Sequence, residues 1–218
     1  MRVRDHVAGV AARCGRASES ISILAVSKRQ PVEAIIAAHR AGADAFGENY
    51  VQEAQSKQKE LAGSAECGPV YRWHLIGHLQ TNKARLAVSA FDLIQSVDSA
   101  KLAAALQQAA ESSGKTQDIL IQVKLGDEQT KSGILPSNLD QLVQSIHARQ
   151  SLRLRGLMGV APAGEDPRPY FRLLRELYET LPSGSRHILS MGMTADYEIA
   201  IEEGATMVRV GSAIFGSR

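Results

Sequence analysis

Short apolar runs alternate with longer amphipathic segments along the whole chain. The runs at residues 21–28, 45–48, 71–77, 93–97, 119–125, 154–160, 187–192 and 207–211 are mostly rich in Val and Ile, and several are nearly continuous. Strands covered on both faces read this way, as in a parallel sheet wrapped by helices. The segments between them carry helix signals. Pro31 opens PVEAIIAAHRAG and Gly42 closes it, with proline at the start and glycine at the end. Ser99 is the expected N-cap of a helix over 100–114, ending at Gly114. Thr194 followed by ADYEIAIEEG repeats the scheme as far as Gly204. Further helices are predicted over 50–62, 82–90, 138–149 and 169–181, and one more precedes the first strand.

About eight strands result, each but the last followed by a helix. The natural reading is an α/β chain forming a single (β/α)8 TIM-type barrel with an extra N-terminal helix, and 218 residues lies at the small end of that range. An open doubly wound sheet shares the local pattern, but no GxGxxG turn follows the first strand. No linker, low-complexity tract or charge run divides the chain, so residues 1–218 read as one domain. The Gly/Pro-containing stretches 63–69 and 161–169 are the expected mobile loops.

Charge removes some function classes. The net charge is +2 with basic residues dispersed among acidic ones, whereas nucleic acid or a membrane surface calls for a concentrated basic patch. Cys14 and Cys67 lie in no CxxC or Cys/His pattern, which points to a reducing compartment and away from a disulfide framework. The N-terminus lacks the apolar core of a secretory signal, and no stretch approaches the roughly 20 apolar residues needed to span a bilayer. A cytoplasmic location is the expectation.

In a β/α barrel the chemistry sits at the C-terminal ends of the strands. The first strand, ILAVSK, places Lys28 at the mouth, where partial burial would disfavour the ammonium and free the amine to attack an aldehyde. The plainer alternative is a lysine that reaches into solvent. Strand seven ends LSMGMT, with Ser190, Gly192 and Thr194, and strand eight ends VRVGSAIFG, with Gly211 and Ser212. Glycines let backbone amides approach an anion, and phosphate sites in these barrels often form after strands seven and eight. Capping of strand ends by small residues is the ordinary alternative. Arg209 shares a face with Gly211 by period-two alternation and so points into the barrel. There it would pair with Glu48 or another carboxylate, or donate to a ring nitrogen of a bound heterocycle. Asn49, His74, His78 and Lys131 are further candidates for the mouth. Two histidines across a strand end, with no cysteine or carboxylate cluster, do not make a zinc site.

The segments AVSKRQPVEAI, FGENYVQEA, WHLIGHLQTNKAR, LIQSVDSAKLA, ILIQVK…TKSGI, LRGLMGVAP and LSMGMTADYEIAIEEGATMVRVGSAIFG stand in order from about residue 21 to the C-terminus. Together they closely resemble the pyridoxal phosphate homeostasis protein family, which looks like the N-terminal barrel of alanine racemase standing alone. The resemblance implies pyridoxal 5′-phosphate (PLP) held as a Schiff base on Lys28. It also implies phosphate contacts from Ser190, the Met191–Gly192 backbone, Gly211 and Ser212, with Arg209 near the pyridine nitrogen and Asn49 and His74 close by. Where family members often carry SKT and QVN, this chain has Ser27-Lys28-Arg29 and Gln122-Val123-Lys124, so Lys124 is a second, weaker candidate amine. The implied role is vitamin B6 homeostasis without a dedicated catalytic reaction, with apo-enzymes as recipients of the cofactor. Racemisation needs acid/base groups on both faces of the substrate, and in the racemase one comes from a C-terminal domain. The sequence ends at Arg218, shortly after Ser212, so a carrier and a monomer are expected. The alternatives are weak racemase- or transaminase-like activity and, ranked lowest, a Schiff-base aldolase using Glu48.

Overall fold

Eight parallel strands hydrogen-bond in chain order and close on themselves in the computed structural model, which describes residues 2–63, 71–126 and 132–216. They are β1 (Ser22–Val26), β2 (Ala45–Glu48), β3 (Arg72–Leu75), β4 (Leu93–Val97), β5 (Gln117–Val123), β6 (Leu152–Gly159), β7 (Ile188–Ser190) and β8 (Met207–Val210). β8 returns to pair with β1, Met207 to Val210 lying against Ser22 to Ala25. The closed barrel is therefore the fold, and the open sheet is ruled out. The expected N-terminal helix is present as α1 (Arg2–Arg13). Around the barrel run α2 (Val32–Arg40), α3 (Val51–Ala62), α4 (Ala84–Ala90), α5 (Ala100–Ser112), α6 (Leu139–His147), α7 (Arg168–Thr180), α8 (Tyr197–Glu202) and the short α9 (Ser212–Phe215). Among the described residues, no helix is long and apolar enough to cross a membrane. Lys131, Cys67 and all but the first residue of the 63–69 stretch lie outside the described residues, while 161–167 forms the loop between β6 and α7.

Local signals set some of the helix starts. The Ser99 hydroxyl accepts from the Leu102 amide at 3.3 Å and caps α5. Pro31 takes the cap position itself, and α2 begins one residue later, at Val32. Thr194 does not cap α8. The Asp196 carboxylate accepts the Met193 amide at 2.6 Å, turning the chain before Tyr197 and leaving Thr194 for another task.

Alternation along the strands divides two layers. Phe46, Leu75, Ile94, Ile119, Ile121, Leu157 and Val208 face outward, buried in the large core that joins barrel and helices. Leu24, Ala45 and Met207 on one side, and Leu93, Leu120 and Met158 on the other, fill part of the interior. The rest of the interior is polar: His74, Gln95, Ser190 and Arg209 are all buried there. Phe46 is fully buried, with ring centroids 5.7 Å from Tyr71 and 6.0 Å from Trp73. Phe46→Ala should lower unfolding stability by about 3–5 kcal/mol in urea titration. A loss within about 0.5 kcal/mol, the range of ordinary surface changes, would show that this aromatic cluster does not hold the β2–β3 wall.

Candidate functional site

β1 stops at Val26, two residues before Lys28, which sits half-buried in the turn that follows. That turn is shaped by its neighbours. The Ser27 amide donates to the Gly47 carbonyl at 3.0 Å, and the Ser27 hydroxyl donates to Glu48 Oε1 at 2.7 Å. Arg29 adopts a left-handed φ of 58°, and its amide donates to Glu53 Oε1. Lys57, on α3, extends its ammonium to the Ser27 carbonyl, Glu48 Oε1 and Glu53 Oε1, each at 2.7 Å. Glu48 has the same strand parity as Phe46 and so faces α3, outside the barrel. It therefore does not pair with Arg209 as one sequence alternative held, because the closed barrel wall separates them. Burial pushes the Glu48 carboxyl above its ordinary value, and the bonds from Lys57 and Ser27 offset this only in part.

Inside the barrel a hydrogen-bonded chain crosses from β8 to β3. Arg209 donates through Nη1 to Ser190 Oγ and through Nη2 to the Gly159 carbonyl, both at 2.8 Å. Ser190 Oγ donates to Gln95 Oε1 at 2.7 Å, and Gln95 Nε2 lies 3.1 Å from His74 Nδ1. Arginine can only donate, which gives the chain its direction. Ser190 accepts from Arg209 and donates its own O–H to Gln95. The Gln95 amide then donates to His74 Nδ1, leaving the imidazole proton on Nε2. Burial holds the His74 pKa at about 4, against a smaller opposing pull from Asp92, so the ring is neutral at neutral pH. Burial also lowers Arg209, to about 10, which leaves it cationic there. Gln95 was not among the sequence candidates. Its only signal was a single amide at an inward position of the apolar run LIQSV.

At the mouth, the loops after β7 and β8 are tied together. The Met191 amide donates to Met207 O at 3.1 Å, the Arg209 amide to Gly192 O at 2.9 Å, and the Gly211 amide to Thr194 Oγ1 at 3.3 Å. Met191 and Gly192 are buried, Gly211 is half-buried, and Ser212 is exposed at the start of α9. Gly192 has φ +86°, and a Cβ there would lie 2.5 Å from the Ala200 methyl, so only glycine brings this loop onto α8. Asn49 follows β2, half-buried, with the backbone of Gly77 pressed against it; a Cβ on Gly77 would stand 2.2 Å from the Asn49 carbonyl oxygen. Asn49, Tyr50, His78 and Lys83 line a cleft of about 350 Å³ between these loops.

Because β7, β8, β1 and β2 are neighbours in the closed barrel, Lys28, Asn49, Met191, Gly192, Gly211 and Ser212 share one sector of the mouth, above the buried Ser190 and Arg209. His74 lies inside β3, whereas His78 is exposed in the following loop, 3.8 Å from Asp98. Among the described residues, no group of three or more His, Cys, Asp or Glu side chains is placed to hold a metal. Lys124 follows β5, half-buried, its amide bonded to the Ile134 carbonyl at 2.9 Å. A hollow of about 410 Å³ lined by Arg4, Asp5 and Asp44 lies beneath α1 at the opposite end, away from the strand C-termini.

The alanine racemase N-terminal domain family matches residues 3–218. The pyridoxal phosphate homeostasis protein of Escherichia coli is 42% identical over 223 residues, spanning 100% of this chain and 94% of its own. PipY of Synechococcus elongatus, solved with PLP bound, shares 38% identity at a TM-score of 0.80, over 96% of this chain and 100% of that one. Alanine racemase of Clostridium difficile shares the fold, with a TM-score of 0.73 at 16% identity; this chain is 99% covered, against 56% of the racemase. A barrel matched over its whole described length by such relatives belongs to the pyridoxal phosphate homeostasis protein family, built on the N-terminal domain of alanine racemase.

Proposed function

We propose that this chain binds PLP at the C-terminal mouth of the barrel, as a Schiff base on Lys28, and serves vitamin B6 homeostasis without a dedicated catalytic reaction. The observation that carries the reading is Arg209. It is a cation buried inside the barrel that donates to Ser190 and Gly159 and, among the described residues, to no carboxylate, and it lies on the strand that pairs with β1. When bound, PLP supplies an aldehyde carbon to which a primary amine adds with loss of water. Lys28 is that amine. The Met191–Gly192 backbone, Gly211 and Ser212 receive the phosphate beside the start of α9, the Gly211 amide exchanging Thr194 Oγ1 for a phosphate oxygen. Arg209 donates toward the pyridine nitrogen and keeps it unprotonated, since adjacent cations repel. The Ser190 hydroxyl, engaged on both sides, supports Arg209 in preference to the phosphate. Asn49 and the neutral His74 flank the ring.

Among the described residues, the carboxylate and imidazole candidates are placed away from proton transfer at Lys28. Glu48 faces α3, His74 is occupied at Nδ1, and an unprotonated pyridine is a weak electron sink. This favours a carrier that hands PLP to apo-enzymes over a racemase, and it deprives an aldolase of the acid/base carboxylate expected at Glu48. The chain acts as one monomeric domain over residues 1–218, in the cytoplasm, with Lys124 as a secondary amine.

Purified protein reconstituted with PLP should be yellow, and borohydride should trap the adduct on Lys28 by peptide mapping. Lys28→Ala should keep its fold and some phosphate-anchored binding but lose the trapped adduct. A colourless wild-type protein that cannot be reconstituted would overturn the reading. Incubation of the loaded protein with L-alanine in deuterated water should leave the α-position unlabelled, and Lys28-dependent labelling would instead establish an enzyme. The buried neutral His74 also makes stability depend on pH. Its folded pKa of about 4 lies below the ordinary unfolded value of 6.5, so the unfolded chain binds the extra proton between them. Stability should therefore fall as pH drops from about 6.5 to about 4, by up to roughly 3 kcal/mol from this one group. His74→Gln should flatten that part of the profile measured by denaturant titration.

A further inference from the structure

We infer that Lys57 is a positioning residue for the Lys28 amine, holding the turn on both sides of Lys28 through Ser27, Glu48 and Glu53. The inference rests on the reading that Lys28 carries the cofactor. The three ammonium hydrogens of Lys57 match three acceptors at 2.7 Å: the Ser27 carbonyl, Glu48 Oε1 and Glu53 Oε1. Its side chain is only 9% exposed and that of Glu48 is fully buried. Each acceptor in turn bears on the turn. Glu48 Oε1 also receives the Ser27 hydroxyl, and Glu53 Oε1 receives the Arg29 amide. The Ser27 carbonyl further accepts the Gln30 amide at 3.0 Å. The residues immediately before and after Lys28 are thus fixed to one ammonium rooted in α3.

Arg29 explains why such a clamp is needed. It is the sole non-glycine residue with positive φ among the described residues, a conformation that L side chains disfavour. The conformation persists because the Arg29 amide is held by Glu53, which Lys57 holds in place. Lys57 also balances the charge of Glu48, whose Oε2 is buried with no hydrogen-bond partner among the described residues. These two roles can be separated. Charge balance concerns the whole fold, whereas the carbonyl and Glu53 contacts concern only the turn.

The test uses the full chain with Lys57→Met and with the double variant Glu48→Gln, Lys57→Met, which removes the buried carboxylate together with its partner. Lys57→Met alone should lower Tm, and the double variant should recover most of that loss. In both variants, without cofactor, the Arg29 and Gln30 amides should exchange with deuterium about tenfold faster than in wild type. With PLP added at equal concentration, the fraction trapped on Lys28 by borohydride should fall by about tenfold. A double variant with wild-type exchange at Arg29 and Gln30 and wild-type trapping would overturn the inference, leaving Lys57 as a charge partner of Glu48 only. Wild-type protein that exchanges slowly in this turn but never yields a Lys28 adduct would instead overturn the cofactor reading beneath it.

Discussion

Pairing of β8 with β1 is the constraint on which the rest of the molecule depends. Four consecutive residue pairs, Ser22 to Met207 through Ala25 to Val210, join segments separated by almost the whole chain. Closure removes both sheet edges and lets every strand bury one face on helices and one inside. It also brings the turn with Lys28 beside the strand with Arg209 and the loop with Gly211. Without that seam, the amine, the buried cation and the glycine loops would belong to opposite ends of an open sheet.

The interior does two kinds of work. Apolar side chains such as Leu24, Leu120 and Met158 fill part of it, while the Arg209–Ser190–Gln95–His74 chain crosses the remainder. A buried guanidinium is costly unless its N–H groups find acceptors, and here they meet a hydroxyl and a backbone carbonyl. Outside the strands the logic differs. The carboxylates Glu48 and Glu53 and the ammonium of Lys57 form a compact cluster between β2 and α3. The proposed site is therefore flanked by a polar chain within the barrel and a charged cluster outside it, separated by one strand wall.

Much of this was legible in the sequence because it rests on short-range signals. Apolar runs located the strands, and Ser99 with the closing glycines located helix ends. Lys28, Arg209 and Gly192 stand at strand ends, where barrel geometry makes position informative. What remained illegible depends on long-range facing. Glu48 reads as an internal partner for Arg209 until the parity of β2 sends it outward with Phe46. Gln95 looks like an interruption of an apolar run until β4 is rolled into a barrel and meets Ser190 and His74. Lys57 resembles any exposed helix lysine in QSKQKE, and only the docking of α3 on the Ser27 carbonyl reveals its three acceptors. Thr194 looks like a helix cap, and Asp196 takes the turn that would have made it one.

That displaced threonine has a bearing on how easily the mouth would give up the phosphate proposed for it. With the Gly211 amide resting on the Thr194 hydroxyl, the two loops already satisfy each other. If the proposed phosphate took the Gly211 N–H, the threonine hydroxyl would be free to turn and donate as well, so capture would exchange one partner for another. Departure would restore the original contact and strand no donor at Gly211. A seat able to relax into a self-satisfied form on emptying would favour turnover of its occupant over permanent retention, as the proposed carrier role requires.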